Sequence, residues 1–433
     1  MRKSRFLTSP FFSRPLSGAL CLATGVACCA SSLVAGEADD ARDKKAVVEK
    51  KAAGRVKFSV LLDAGVTAST GAPRDNQLFG RLFDDRHGEP MLNQATFTAE
   101  RVLAPEADRF DYGFKLQFTA GTDARYVDPI GEFDRLSNGR YTLAAVEAYG
   151  SLHLPFLTAG GVDLRLGQFA SPMSAETIYP TGNFFYSHSY LFNFGVPFQH
   201  LGGLVTLHAT KALDLYAGVV RGANVGLDDN NDVVSFLGGF ALTLLDGKVV
   251  LAANTSIGAE NDAVFENAVG NNGRRVHTNG DLRYYNNVNL TFKPTERLTF
   301  ITDLVYTRDD GFQAECYGVA QYATFTLNKY VSVGVRGEVF RDDDGFFVTQ
   351  FAADDDNVDL IRGSLGGVDP RTVGAGGGTT IGGVTLGVNV KPTDRVLVRP
   401  ELRYDKALDG RHVFTDSTQS HQFTGGIDVI VTF

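Results

Sequence analysis

From Arg55 to Phe433 the sequence alternates between apolar and polar residues, in runs too long for an ordinary soluble sheet. Side chains along an extended strand point to opposite faces in turn, so a period of two means one oily and one wet face. In the clearest run, Phe110, Tyr112, Phe114, Leu116, Phe118 and Ala120 interleave with Asp111, Gly113, Lys115, Gln117 and Thr119. A second run sets Leu282, Tyr284, Val288, Leu290 and Phe292 against Asp281, Arg283, Tyr285, Asn287, Asn289, Thr291 and Lys293, with Asn286 as the one lapse. Strands of soluble sandwiches average about 5–6 residues. Tilted strands that cross a bilayer need about 9–11, and the runs here reach ten to fourteen.

Such runs predict sixteen strands, near 55–67, 91–104, 110–123, 140–154, 162–170, 201–210, 212–222, 233–244, 248–260, 279–293, 298–308, 317–328, 331–341, 378–390, 396–405 and 421–433. Short connections (104–109, 245–247, 294–297, 328–330, 392–395) alternate with long ones (68–90, 124–139, 171–200, 261–278, 342–377). An even number of long strands joined in this way predicts an all-β fold, a single antiparallel up-and-down transmembrane barrel with its short turns and both termini on the periplasmic side. Lys293-Pro294-Thr295-Glu296-Arg297 recurs as Lys391-Pro392-Thr393-Asp394-Arg395, so two turns share one chemistry, with proline expected in the turn rather than the ladder.

After the first forty residues no stretch has the roughly 18 consecutive apolar residues of a spanning helix. The first residues read as an export signal over 1–36: Arg2, Lys3, Arg5 and Arg14 precede an uncharged, apolar and small-residue run from Ser17 to Ala35. Cys28 and Cys29 raise a lipid attachment, but Gly25 stands where such a box wants a leucine-like residue. Residues 37–54 are charged and rich in Ala and Lys, which suits a periplasmic segment ahead of a barrel at 55–433. Cleavage would move the formal charge from -9 to about -13, an acidic balance that argues against nucleic acid as partner. It would also leave Cys316 as the sole cysteine, which excludes an intrachain disulfide or a cysteine metal cluster.

Parity assigns the wet face. On the strand at 396–405, Val396, Val398, Pro400, Leu402 and Tyr404 face outward, which turns Arg399, Glu401, Arg403 and Asp405 inward. The same logic turns Lys115, Glu147, Arg165, Asp303, Arg336 and Glu338 inward. A lipid-facing Arg or Lys costs about 2–4 kcal/mol near the midplane, so these ten are candidates to line an aqueous pore. They would set ion preference, pair across strands to hold the wall, or both. The final strand ends Phe423, Gly425, Ile427, Val429, Val431, Phe433; its terminal aromatic resembles the signal by which such barrels are recognised for assembly.

Gly167, Phe169, Pro172 and Glu176, the aromatic stretch 184–194, and Pro197-Phe198 before Gly202 together resemble the OmpL-like outer-membrane porin family. Arg336, Glu338, Phe340, Arg341 and Asp342, and the run Arg399-Pro400-Glu401-Leu402-Arg403-Tyr404-Asp405, extend the resemblance across nearly everything after the N-terminal segment. It implies a porin-like barrel without catalytic residues. This chain departs from it in having no tryptophan, with Ala223 where an aromatic residue is expected, so an interfacial belt must be built from Tyr and Phe. The length of 171–200, its aromatics and Glu176 suggest a constriction folded into the lumen; an external loop is the alternative.

Acidic clusters at 228–232, 342–344 and 354–356 fall in long connections; oxygen-rich runs can hold Ca²⁺, but none carries the complete twelve-residue loop pattern, and solvated loop charge accounts for them. His188-Ser189 are merely adjacent, no G-x-S-x-G or H-E-x-x-H motif occurs, and Gly374 to Gly378 lacks the Lys-Ser or Lys-Thr of a phosphate-binding loop. The expectation is passive diffusion of small polar solutes or ions through an outer-membrane barrel, without cofactor. Its partners would be outer-membrane lipid, the barrel-assembly machinery and the solutes, with room for a homo-oligomer. An adhesive barrel acting through its loops is the alternative, and an outer-membrane lipid hydrolase a more distant one.

Overall fold

The computed structural model describes residues 54–433 except 75, 105–107, 134–138, 271–272 and 349–376. The signal segment 1–36, nearly all of 37–54, the cluster 354–356 and most of the 374–378 glycine run lie outside the described residues. Sixteen strands form: β1 (Lys57–Ser69), β2 (Met91–Arg101), β3 (Asp111–Gly121), β4 (Thr142–Leu154), β5 (Val162–Ala170), β6 (Gln199–His208), β7 (Leu213–Val220) and β8 (Ser235–Leu244). They continue as β9 (Val249–Ala259), β10 (Leu282–Phe292), β11 (Leu298–Asp309), β12 (Ala314–Thr326), β13 (Val331–Asp342), β14 (Thr379–Thr393), β15 (Val396–Ala407) and β16 (His421–Thr432). Each pairs antiparallel with its neighbour in sequence, and β1 pairs with β16, so no edge is left open. Closure is what lipid demands, since nothing there can satisfy an unpaired N–H or C=O.

Register follows the alternation. Leu116, Phe118, Leu166, Val205, Val219, Val384, Leu386, Leu402 and Ile427 are exposed on the outer wall. So broad an exposed apolar band would be a liability in water and fits lipid. Phe58, Tyr112, Phe156, Tyr330 and Phe433 are exposed near the short-turn end, and Tyr141, Tyr317, Tyr404 and Phe423 towards the other. Tyr and Phe thus sit at both ends of the wall, where the missing tryptophans would have been.

The strand at 396–405 extends to Ala407, and β14 runs to Thr393, so Pro392 lies within a strand rather than in the turn that the sequence suggested. The register slips between Val390 and Thr393, and such an irregularity needs no N–H from proline. Two short helices, α1 (Ala124–Val127) and α2 (Tyr190–Gly195), belong to long connections. Among the described residues no helix is long and apolar enough to cross a membrane.

Candidate functional site: the inner wall and the inserted segment

The connection from β5 to β6, residues 171–198, packs against inward-facing side chains around most of the barrel. It departs along β9 to β11, where Asn254 donates to the Pro172 carbonyl (3.1 Å) and Asp303 accepts from Ser174 Oγ (2.8 Å) and the Ala175 N–H (3.0 Å). Glu176 reaches Arg336 on β13 (2.7 Å) and the Tyr322 hydroxyl on β12 (3.1 Å). The chain then crosses to the opposite wall, where Gln94 on β2 donates to the Ile178 carbonyl (2.9 Å) and Lys115 on β3 lies 4.5 Å from the Tyr179 ring. It returns to β15, and α2, capped by Ser189 accepting from the Phe192 N–H, packs on β11 to β13.

Buried charge is tolerated only where it is paired and hydrogen-bonded, and the wall provides that pairing. Arg399 donates to the carbonyls of Pro180 (2.8 Å), Asn183 (2.9 Å) and Phe185 (3.0 Å), while its other side binds Asp428. Arg403 donates to the His188 carbonyl (2.6 Å) and pairs with Asp405 (2.8 Å) and Glu338 (3.1 Å). Arg336 adds the Ser187 carbonyl (2.7 Å). The carboxylates hold the N–H groups: Glu401 accepts from Tyr186 and Ser187, and Glu338 from Tyr190 (2.7 Å). A guanidinium suits this work because its planar fork offers five donors in fixed directions.

Burial alone would raise the Glu176 carboxyl, but Arg336, His188, the Ser189 N–H and the Tyr322 hydroxyl hold it below the ordinary range. Burial pushes the His188 imidazole down to about 4, against the attraction of Glu176. The connection 70–90 also turns inward: Arg81 pairs with Asp84 (2.7 Å) and with Asp405 (3.2 Å).

Glycines on the inner face make the space. A Cβ on Gly334 would run into the Phe184 ring, one on Gly387 would lie 2.8 Å from Phe185, and one on Gly65 2.6 Å from the Tyr186 hydroxyl. Gly334 and Gly387 are directly paired across β13 and β14, so together they form a flat seat for two rings. Sequence reasoning missed these seats, although glycine at an inward strand position is the signal for a close approach. Around them Phe83, Ile178, Phe185, Tyr190, Phe192 and Phe198 are buried in one apolar cluster within the barrel.

The ten inward charges therefore separate into two groups. Asp303, Arg336, Glu338, Arg399, Glu401, Arg403 and Asp405 are 0–6 % exposed and closed off by the inserted segments. Of the other three, Glu147 on β4 is equally buried at 5 %, whereas Lys115 on β3 and Arg165 on β5 are half-buried. Lys115 pairs with Glu147 (3.2 Å), and Arg165 lies over the Tyr149 ring (4.7 Å). The Asp342 carboxylate accepts four backbone N–H groups, from Gly345, Phe346, Phe347 and Val348, so it shapes a turn rather than offering a free cation ligand. A cavity of about 10 Å³ lined by Asp63, Gln94, Asp123, Tyr186, His188 and Arg399 lies beneath the segment, room for about one water.

Solved structures share the architecture. An outer-membrane protein of Vibrio cholerae, OmpT lacking loop L8, superposes with a TM-score of 0.52 at 12% identity, covering 88% of this chain and 100% of its own. The outer-membrane channel DcaP of Acinetobacter baumannii gives 0.52 at 10%, covering 88% and 98%. An anion-selective porin from Comamonas acidovorans gives 0.52 at 10%, covering 88% and 99%. At these identities the likeness concerns the fold. Comparison with curated proteins found no match. The family described as "Putative beta-barrel porin-2, OmpL-like" matches residues 55–433, the whole barrel, and the chain belongs to that family.

Proposed function

We propose that this barrel is an outer-membrane porin that passes small polar solutes or ions by diffusion, with segment 171–198 as its constriction. The observation that carries this reading is the clamp. Arg336, Arg399 and Arg403 fix the segment against one wall through side-chain and backbone contacts of 2.6–3.0 Å. A passage narrowed in this way runs between the segment and the inner wall of β3 to β5, past Arg165 and the Lys115–Glu147 pair. Size and these few charges then select the solute, and no cofactor takes part.

The remaining sequence expectations fit this role. Export would begin with a signal at 1–36, and Phe433, whose N–H donates to the Val60 carbonyl (2.9 Å) at the β1–β16 seam, would mark the last strand for the assembly machinery. The exposed apolar wall faces outer-membrane lipid and leaves room for a homo-oligomer.

Purified protein in a planar bilayer should give stepwise conductance. Arg165→Glu should move the reversal potential in a salt gradient towards cation preference, whereas Arg399→Lys, beneath the segment, should leave it within error. Absence of any conductance from folded protein would defeat the porin reading, and an unmoved reversal potential in Arg165→Glu would defeat the placement of the passage.

A further inference from the structure

Four consecutive strands bring His153 (β4), Asp163 (β5), His208 (β6) and Asp214 (β7) together near the short turns, apart from the inserted segment. Cross-strand register places His153 opposite Asp163 and His208 opposite Asp214. Parity puts all four on the inner face, since His153 and Asp163 share it with Ser151 and Arg165. His153 Nδ1 is 2.6 Å from Asp163 Oδ1, and His208 Nε2 is 3.3 Å from Asp163 Oδ2. One donor atom from each of His153, Asp163 and His208 lies within 4.8 Å of the other two.

We propose that these three side chains form a binding site for a divalent d-block cation of zinc type, with Asp214 as the residue that orients His208. Two imidazoles with one carboxylate favour zinc and its neighbours over Ca²⁺ or Mg²⁺, which want an all-oxygen shell. Three protein ligands leave a coordination position for water or a passing ligand on the lumen side. Asp214 Oδ1 lies 2.7 Å from His208 Nδ1, which fixes the tautomer that presents Nε2 to the metal, the carboxylate–histidine arrangement common behind metal ligands. His153 is 5 % exposed and its Nε2 has no protein hydrogen-bond partner, so the polar contacts of this buried ring are concentrated on Nδ1, the atom aimed at the site. The competing arrangement is a hydrogen-bonded ladder in which His208 carries a proton on each nitrogen and needs no metal.

Metal binding by the full chain in detergent separates the two. Zn²⁺ alone, titrated by calorimetry, should bind at about one equivalent that Ca²⁺ in excess does not displace, and Co²⁺ should give the visible absorption of a low-coordinate site. His208→Ala should weaken Zn²⁺ binding by about 100-fold or more, and Asp214→Asn by about 10–100-fold. His277→Ala, which alters an exposed loop histidine, should change nothing. Heat-modifiable gel mobility checks that each variant remains a barrel. Should His208→Ala fail that check, Asp214→Asn and the Co²⁺ spectrum of the unaltered protein decide. No stoichiometric Zn²⁺ binding, displacement by Ca²⁺, or unchanged affinity in a folded His208→Ala or Asp214→Asn barrel would overturn the proposal.

Discussion

The two sides of the barrel interior use charge in opposite ways. Along β11 to β16 the inward Arg, Glu and Asp side chains are buried beneath segment 171–198 and spend their hydrogen bonds on its backbone. Along β3 to β5 the charges are few, with Lys115 and Arg165 half-buried and Glu147 buried, and they bond to one another or stack on rings. Identical residue types thus anchor the segment on one wall and pair with one another or stack on rings on the other. What distinguishes them is whether their hydrogen bonds go to the backbone of the segment.

The sharpest way to break this contrast is to remove an anchor. Arg336→Ala strands Glu176 in a buried site, and loss of one partner of such a pair costs about 3–5 kcal/mol. Segment 171–198 should then become cleavable by added protease and single-channel conductance should rise, while the barrel strands stay resistant.

Acid should loosen the same anchor. With His188 held down to about 4 against an ordinary 6.5, the released segment binds more protons than the docked one between those values, so docking weakens as pH falls through that window. The full shift corresponds to about 3 kcal/mol. Glu176, held low, adds in the same direction below about 4.5, its ordinary value. Asp84, which burial pushes up to about 6 against the pull of Arg81, acts the other way, so the informative quantity is the difference from His188→Gln at each pH. Protease sensitivity of the segment should rise more steeply from pH 6.5 to 4 in the unaltered protein than in that variant.

Gly387→Val tests the seat itself. Its side chain would meet the Phe185 ring, and overpacking of this kind costs about 1–3 kcal/mol. A smaller midpoint shift on denaturation than for Arg336→Ala is expected. On the open wall, Arg165→Ala loses a contact over Tyr149 worth about 0.5–1 kcal/mol, so its thermal midpoint should barely move.

Much of the fold is legible in the sequence because the side-chain period of a strand is fixed at two. Leu116, Leu402 and Ile427 had to face one way and Lys115, Arg399 and Asp428 the other, and the structure keeps that division. Parity, however, says only which face a residue occupies. It does not say what covers that face, and hence gave no means of separating Arg403, closed beneath the His188 carbonyl, from Arg165. Glu176 stood out by its place in a long aromatic connection, but its partners Arg336 and Tyr322 are more than a hundred residues away in sequence. The inward turn of 70–90, with Arg81 reaching Asp405, carried no periodic signal at all. Pro392 misled because proline is tolerated at a register slip as well as in a turn.

The position of the open passage is tested most directly by thiol accessibility during conduction. Cys316 is buried and gives little background. A charged thiosulfonate reagent added to a conducting channel should react with Arg165→Cys and step the current down, and should leave Thr385→Cys, beneath the segment, unmodified. Equal reaction at the two positions, or reaction at Thr385→Cys alone, would contradict a passage that runs along one wall with the other sealed.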